Sequence, residues 1–97
     1  MTSIRHMGIV VSDMDKSIHF YTDLIGLQKV PIREETGPFI DSLLNMQNVK
    51  IQTTKLVGEN STTSLELVCF ENPASTNSTP LNAIGPTHLA LNVNNLD

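Results

Sequence analysis

Residues 4–27 read IRHMGIVVSDMDKSIHFYTDLIGL. The first eight are a strand signal, because Ile4 to Val11 ends in three β-branched residues and stops at the turn-prone pair Ser12-Asp13. With a period of two, Arg5, Met7, Ile9 and Val11 share one face. Ile4, His6, Gly8 and Val10 share the other. A helix is expected over 13–25, with Ser12 as N-cap and Asp15 three residues on in a capping-box position. Asp13 and Asp15 suit the positive end of its dipole. Met14, Ile18, Tyr21 and Ile25 recur at helical spacing as one apolar stripe, widened by Leu24. Gly26 is a natural residue to end the helix.

Working outward, residues 27–32 predict a second strand, confined to an edge or strand end by Pro31. Residues 33–38 are polar and end in Gly37-Pro38, which predicts a loop with Glu34 and Glu35 in solvent. A short helical turn is expected over 39–46, a third strand over 49–57, a hairpin turn over 58–61 and a fourth strand over 63–70. In that fourth strand Leu65, Leu67 and Cys69 share one face, and Glu66, Val68 and Phe70 the other. Cys69 on the apolar face reads as small core filler rather than a nucleophile. Residues 71–80 form a polar linker with a proline at two points. The fold class is α+β, a β-α-β-β-β unit.

The strand opening returns after the linker. Thr87-His88-Leu89-Ala90-Leu91-Asn92-Val93-Asn94-Asn95-Leu96-Asp97 aligns without a gap beneath Arg5 to Asp15. His6 falls on His88, Gly8 on Ala90, Ile9 on Leu91 and Val11 on Val93. Both copies set His and a small residue on one strand face, large apolar residues on the other, and then meet a helix-capping signal. The expected organisation is a first module over 1–71, a linker over 72–86, and over 87–97 the first strand of an incomplete second module. The second copy stops where its helix should begin. A half-module leaves unpaired strand edges that need covering. The expectation is therefore either a longer native protein or a homodimer, including a strand-swapped one.

Composition bounds the function classes. The chain has 97 residues, 6 Lys+Arg against 10 Asp+Glu, a net charge of −4 and a pI near 5.1. That balance argues against a nucleic-acid footprint, which needs clustered cations. The single cysteine rules out a disulfide framework and a cysteine-based zinc module. No run approaches the roughly 18 apolar residues of a membrane span. The expectation is a cytoplasmic protein that meets neither membrane nor nucleic acid.

Three ionisable residues fall within strands, each opposite its strand's apolar face: His6, Glu66 and His88. A carboxylate between Leu65 and Leu67 is costly if buried alone, so Glu66 is either solvated or has a cation partner. Two imidazoles and a carboxylate on one concave sheet face make a ligand set for a divalent metal, with open positions left for substrate. Each has a structural alternative: a strand histidine as a satisfied core residue, Glu66 as a solvated outward one. His19 lies off the helical stripe and reads as a surface residue.

Residues 6–27, with the strand-opening His6, Phe20-Tyr21 in the helix and Gly26-Leu27 after it, resemble the opening of the vicinal oxygen chelate superfamily. That group includes glyoxalase I, methylmalonyl-CoA epimerase, extradiol dioxygenases, and fosfomycin- and bleomycin-resistance proteins. Leu65-Glu66-Leu67 and Gly85-Pro86-Thr87-His88-Leu89-Ala90-Leu91 resemble its fourth and fifth strands. The resemblance implies two β-α-β-β-β modules forming a cupped sheet around one divalent ion: zinc, nickel, cobalt, manganese or iron. By position, His6 and Glu66 are implied as the first module's ligands and His88 as the second module's first. The fourth ligand, usually a Glu on the second module's last strand, falls beyond Asp97. Glu at position 66 is similar to the glyoxalase I pattern. The implied activity is that of a metal-dependent lyase or isomerase, with a dioxygenase as runner-up. Its small-molecule substrate would chelate through neighbouring oxygens and pass through an enediolate-like intermediate. Glu66 is implied as ligand, as base, or as both in turn, and the Glu that falls beyond Asp97 is the other candidate base in relatives. The alternatives are a metal-free small-molecule binding protein of the bleomycin-resistance type and an inactive fragment.

Overall fold

The strand signal over 4–11 becomes β1 (His6–Val10), the first element of a computed structural model that describes residues 2–59, 62–76, 80, 82–85 and 89–92. Next come α1 (Met14–His19), a π-helical turn at Phe20–Leu24, β2 (Gln28–Lys29), β3 (Arg33–Thr36), α2 (Pro38–Leu44), β4 (Lys50–Val57) and β5 (Ser64–Asn72). The sheet order is β1-β5-β4-β2, with β3 also on β4. β1 runs parallel to β5, and the other pairings are antiparallel.

The α1 face of the sheet holds the main core. Met14, Ile18, Leu56, Leu65 and Leu67 are buried together, with Ile9, Val11, Tyr21, Leu27 and Cys69 packed against them. Cys69 thus lies where the alternation of β5 puts it. On the opposite face, α2 covers only one end. Its Ile40 meets Val49 and Ile51, with Val68 and Phe70 packed alongside. The rest of that face, around His6 and Glu66, has no helix over it among the described residues.

The helix departs from expectation at both ends. Asp13, not Ser12, is the N-cap: its backbone is extended and its carboxylate accepts from the Lys16 amide at 3.0 Å. Aspartate here serves one residue later than the serine would, beside the macrodipole's positive end. The α-helix then widens after His19. The Ile25 amide bonds back five residues to the Phe20 carbonyl at 3.1 Å, and the Thr22 hydroxyl donates to the Ile18 carbonyl at 2.8 Å. The wider turn rotates Leu24 off the stripe and leaves it 68% exposed, so it does not widen the core face. Gly26 ends the turn at φ +95°, as expected.

The strand expected over 27–32 is reduced to β2, because Pro31 has no amide to continue the ladder. Beyond it the Val30 amide donates to the Lys55 carbonyl at 3.0 Å, and the Val30 carbonyl accepts from the Thr54 hydroxyl at 2.6 Å. The loop expected over 33–38 is a correction: Arg33–Thr36 form β3, paired with Lys50–Thr53 of β4. Its side chains carry no hydrophobic alternation, and backbone pairing alone makes it a strand. Glu34 is accordingly a strand residue, 4.0 Å from the Lys50 ammonium, which also lies 3.2 Å from Glu71. α2 starts on Pro38 and ends on left-handed Asn45, and Asp41 holds the chain beyond it by accepting from the amides of Asn48 and Val49. β5 runs two residues further than its pattern, to Asn72, whose side chain donates to the Asn48 carbonyl. Of the strand expected over 87–97, only residues 89–92 are described, and they carry no regular secondary structure.

Candidate metal centre

β1 and β5 set the centre by their parallel register, in which His6 pairs with Ser64 and Gly8 with Glu66. His6 and Glu66 therefore point to the same side, on adjacent strands and two register positions apart. Burial of Leu65 and Leu67 against α1 fixes which way Glu66 faces. The His6 Nε2 to Glu66 Oε1 distance is 3.8 Å, with side-chain exposures of 32% and 21%. Gly8 adds no side chain beside Glu66. A Cβ there would make only ordinary contacts, the nearest to the Glu66 carbonyl at 3.9 Å. The glycine thus keeps the floor open rather than relieving strain.

His6 Nδ1 is buried and, among the described residues, has no hydrogen-bond partner. An unsatisfied buried polar atom costs about 1–3 kcal/mol, which makes such a histidine a poor structural residue. The donor set suits a divalent ion. Nitrogen and oxygen donors sharing one ion at about 2.1 Å each stand roughly 3–3.5 Å apart, close to the separation found here.

Of the three residues expected to hold a metal, the structure brings His6 and Glu66 together, while His88 lies outside the described residues. Among the described residues, no three of His, Cys, Asp and Glu gather as a metal site. His19 is exposed and pairs with Asp23 on α1 and the turn after it, as a surface residue should. The sequence pattern did not single out Lys55, the partner of Glu66 on β4. Its signal was a lone charge in the otherwise uncharged row Val49, Ile51, Thr53, Lys55 and Val57.

Residues 3–97 match the glyoxalase/bleomycin resistance protein/dioxygenase superfamily. The chain belongs to that superfamily. Among curated proteins, the uncharacterized protein YwkD of Bacillus subtilis (strain 168) is 33% identical over 100 residues, covering all of this chain and 66% of its own length. Among solved structures, the crystal structure of a glyoxalase family protein from Bacillus cereus superposes with a TM-score of 0.77 at 21% identity. That match covers 89% of this chain and 59% of the other, and it shows the superfamily's fold. The chain thus spans about two thirds of the curated relative and less of the solved one. Among the described residues, no helix is long and apolar enough to cross a membrane.

Proposed function

We propose that this chain is a divalent-metal-dependent enzyme of the glyoxalase type, a lyase or isomerase acting on a small substrate with two neighbouring oxygens. The approach of His6 Nε2 to Glu66 Oε1 on the open end of the sheet face supports this reading most directly. His6, Glu66 and His88 would hold the ion. Zinc, nickel, cobalt, manganese and iron(II) all suit that donor set. Bound there, the ion supplies Lewis-acid polarisation of a substrate oxygen. Glu66 takes the proton from the adjacent substrate carbon and returns it, a role its partial exposure permits. Gly8 leaves room for substrate over β1 and β5, and the Ile40, Ile51 and Phe70 end closes one side. β1 is the last strand of the sheet path, and its outer edge has no ladder partner among the described residues. A homodimer that covers this edge completes the cup.

The test is the metal content of size-fractionated protein after loading with cobalt(II). The expected result is about one ion per chain or per dimer, with affinity lowered well over tenfold in His6→Ala, Glu66→Gln and His88→Ala. No uptake by the wild-type chain would mean a metal-free binding protein or an inactive fragment instead.

A further inference from the structure

Lys55 is the direct cross-strand partner of Glu66, and Gly8 is the partner on the other side. Gly8, Glu66 and Lys55 therefore form one row across β1, β5 and β4, all on the open face. Packing of Leu56 with Met14, Ile18, Leu65 and Leu67 on the α1 side fixes which way Lys55 turns. It is half-buried, and among the described residues its ammonium makes no ion pair or hydrogen bond. Glu66, the acid nearest to it in register, is turned to His6 instead. Contrast Lys50, the other lysine of β4, which is engaged by Glu34 and Glu71. Arg33 stands on the same face one row further, opposite Thr53, and has no ion pair among the described residues. The acid beyond it, Glu35, lies opposite Ile51, toward the end that α2 covers. A chain of net charge −4 thus places two cations without an ion pair among the described residues on the sheet face opposite α1.

We infer that Lys55 is a substrate-binding residue that takes the free oxygen of a carboxylate whose other oxygen chelates, so that the substrate is a small 2-hydroxy or 2-oxo acid. The inference deepens the proposed function and rests on it. Directly opposed residues of an antiparallel pair have Cβ atoms about 5 Å apart, within the reach of a lysine stem. A carboxylate held at the His6–Glu66 pair therefore lies within range of the Lys55 ammonium. A lysine bonds such a group as a point charge, in a charge-assisted hydrogen bond.

The probes are glycolate and glycolamide, which share the two neighbouring oxygens and differ in charge. Binding to the cobalt(II)-loaded chain is followed by the visible spectrum of the ion and by calorimetry. Glycolate is expected to bind about tenfold more weakly to Lys55→Met, and within about threefold of wild type to Lys55→Arg. Glycolamide binding is expected to be equal in all three. Lys29→Met, which removes the same charge from the opposite face, should leave glycolate binding unchanged. Equal glycolate binding by wild type and Lys55→Met, in protein that holds cobalt, overturns the inference and leaves the metal reading standing. An equal loss in Lys29→Met also overturns it, because the effect is then the overall field rather than a contact. Absence of cobalt uptake sinks the metal reading instead. Lys55 is then judged by glycolate calorimetry on the metal-free chain, where binding independent of Lys55 overturns the inference and Lys55-dependent binding upholds the contact.

Discussion

His6 offers the sharpest residue-scale test, because a structural and a functional histidine respond oppositely to the same change. Its Nδ1 is buried without a partner among the described residues, so its imidazole adds little to folding. His6→Leu should leave the urea-unfolding free energy of the metal-free chain within about 1 kcal/mol of wild type while cobalt binding is lost. A drop of several kcal/mol would show that the histidine is a core residue after all. Leu67 is the opposite case. It is fully buried against α1, and Leu67→Ala should cost about 2–5 kcal/mol in the same unfolding assay. Both placements were legible in the sequence from strand alternation alone: His6 opposite Met7 and Ile9, Glu66 opposite Leu65 and Leu67. That His6 and Glu66 meet was not legible. Their sequence separation says nothing of it until the parallel register of β1 on β5 is known. The third expected residue, His88, lies outside the described part and is tested only by its own variant.

At the scale of the elements, α1 turns on its cap. Asp13→Ala should lower stability by about 1 kcal/mol, whereas Ser12→Ala should change it by less than about 0.5 kcal/mol. Thermal melts of the two variants decide between the observed cap and the one the capping-box spacing suggested. The edge made by β3 and the ends of β4 and β5 is held by Lys50, whose pKa is raised above 10.5, first by the hydrogen bond to Glu71 and then by the charges of Glu34 and Glu71. A raised lysine contributes stability that is fully present below its unfolded value and is lost as pH rises through the folded one. The stability gap between wild type and Lys50→Met should therefore hold below pH 10.5 and shrink above it. It should shrink with added salt as well, because the lysine is exposed. A gap that persists at high pH would assign the effect to packing of the lysine stem. β3 itself was hidden in the sequence: Arg-Glu-Glu-Thr has the composition of a loop, and only pairing with β4 makes it a strand. The π-helical turn was hidden for a related reason. Apolar spacing assumes a constant helical period, and the widened turn changes it after His19.

At the scale of the whole molecule, the β1 edge, without a ladder partner among the described residues, and the half-covered sheet face predict association. Light scattering on the purified chain should give twice the chain mass of 10.7 kDa, and a stable monomer would remove the homodimer from the proposal. The organisation into a first module over 1–71, a linker and a second-module strand over 87–97 remains a proposal carried by the sequence repeat. The sequence by itself determined the superfamily, the β-α opening, the apolar faces of β1 and β5, and the side of the sheet on which His6 and Glu66 stand. These depend on periodicity and local chemistry, which a chain carries wherever it folds. The tertiary structure alone decided that β1 lies parallel beside β5, that β3 joins β4, that α2 closes one end of the cup, and that Lys55 faces Glu66. Those facts depend on which strands become neighbours and in what register, and no local pattern encodes a partner distant in the chain.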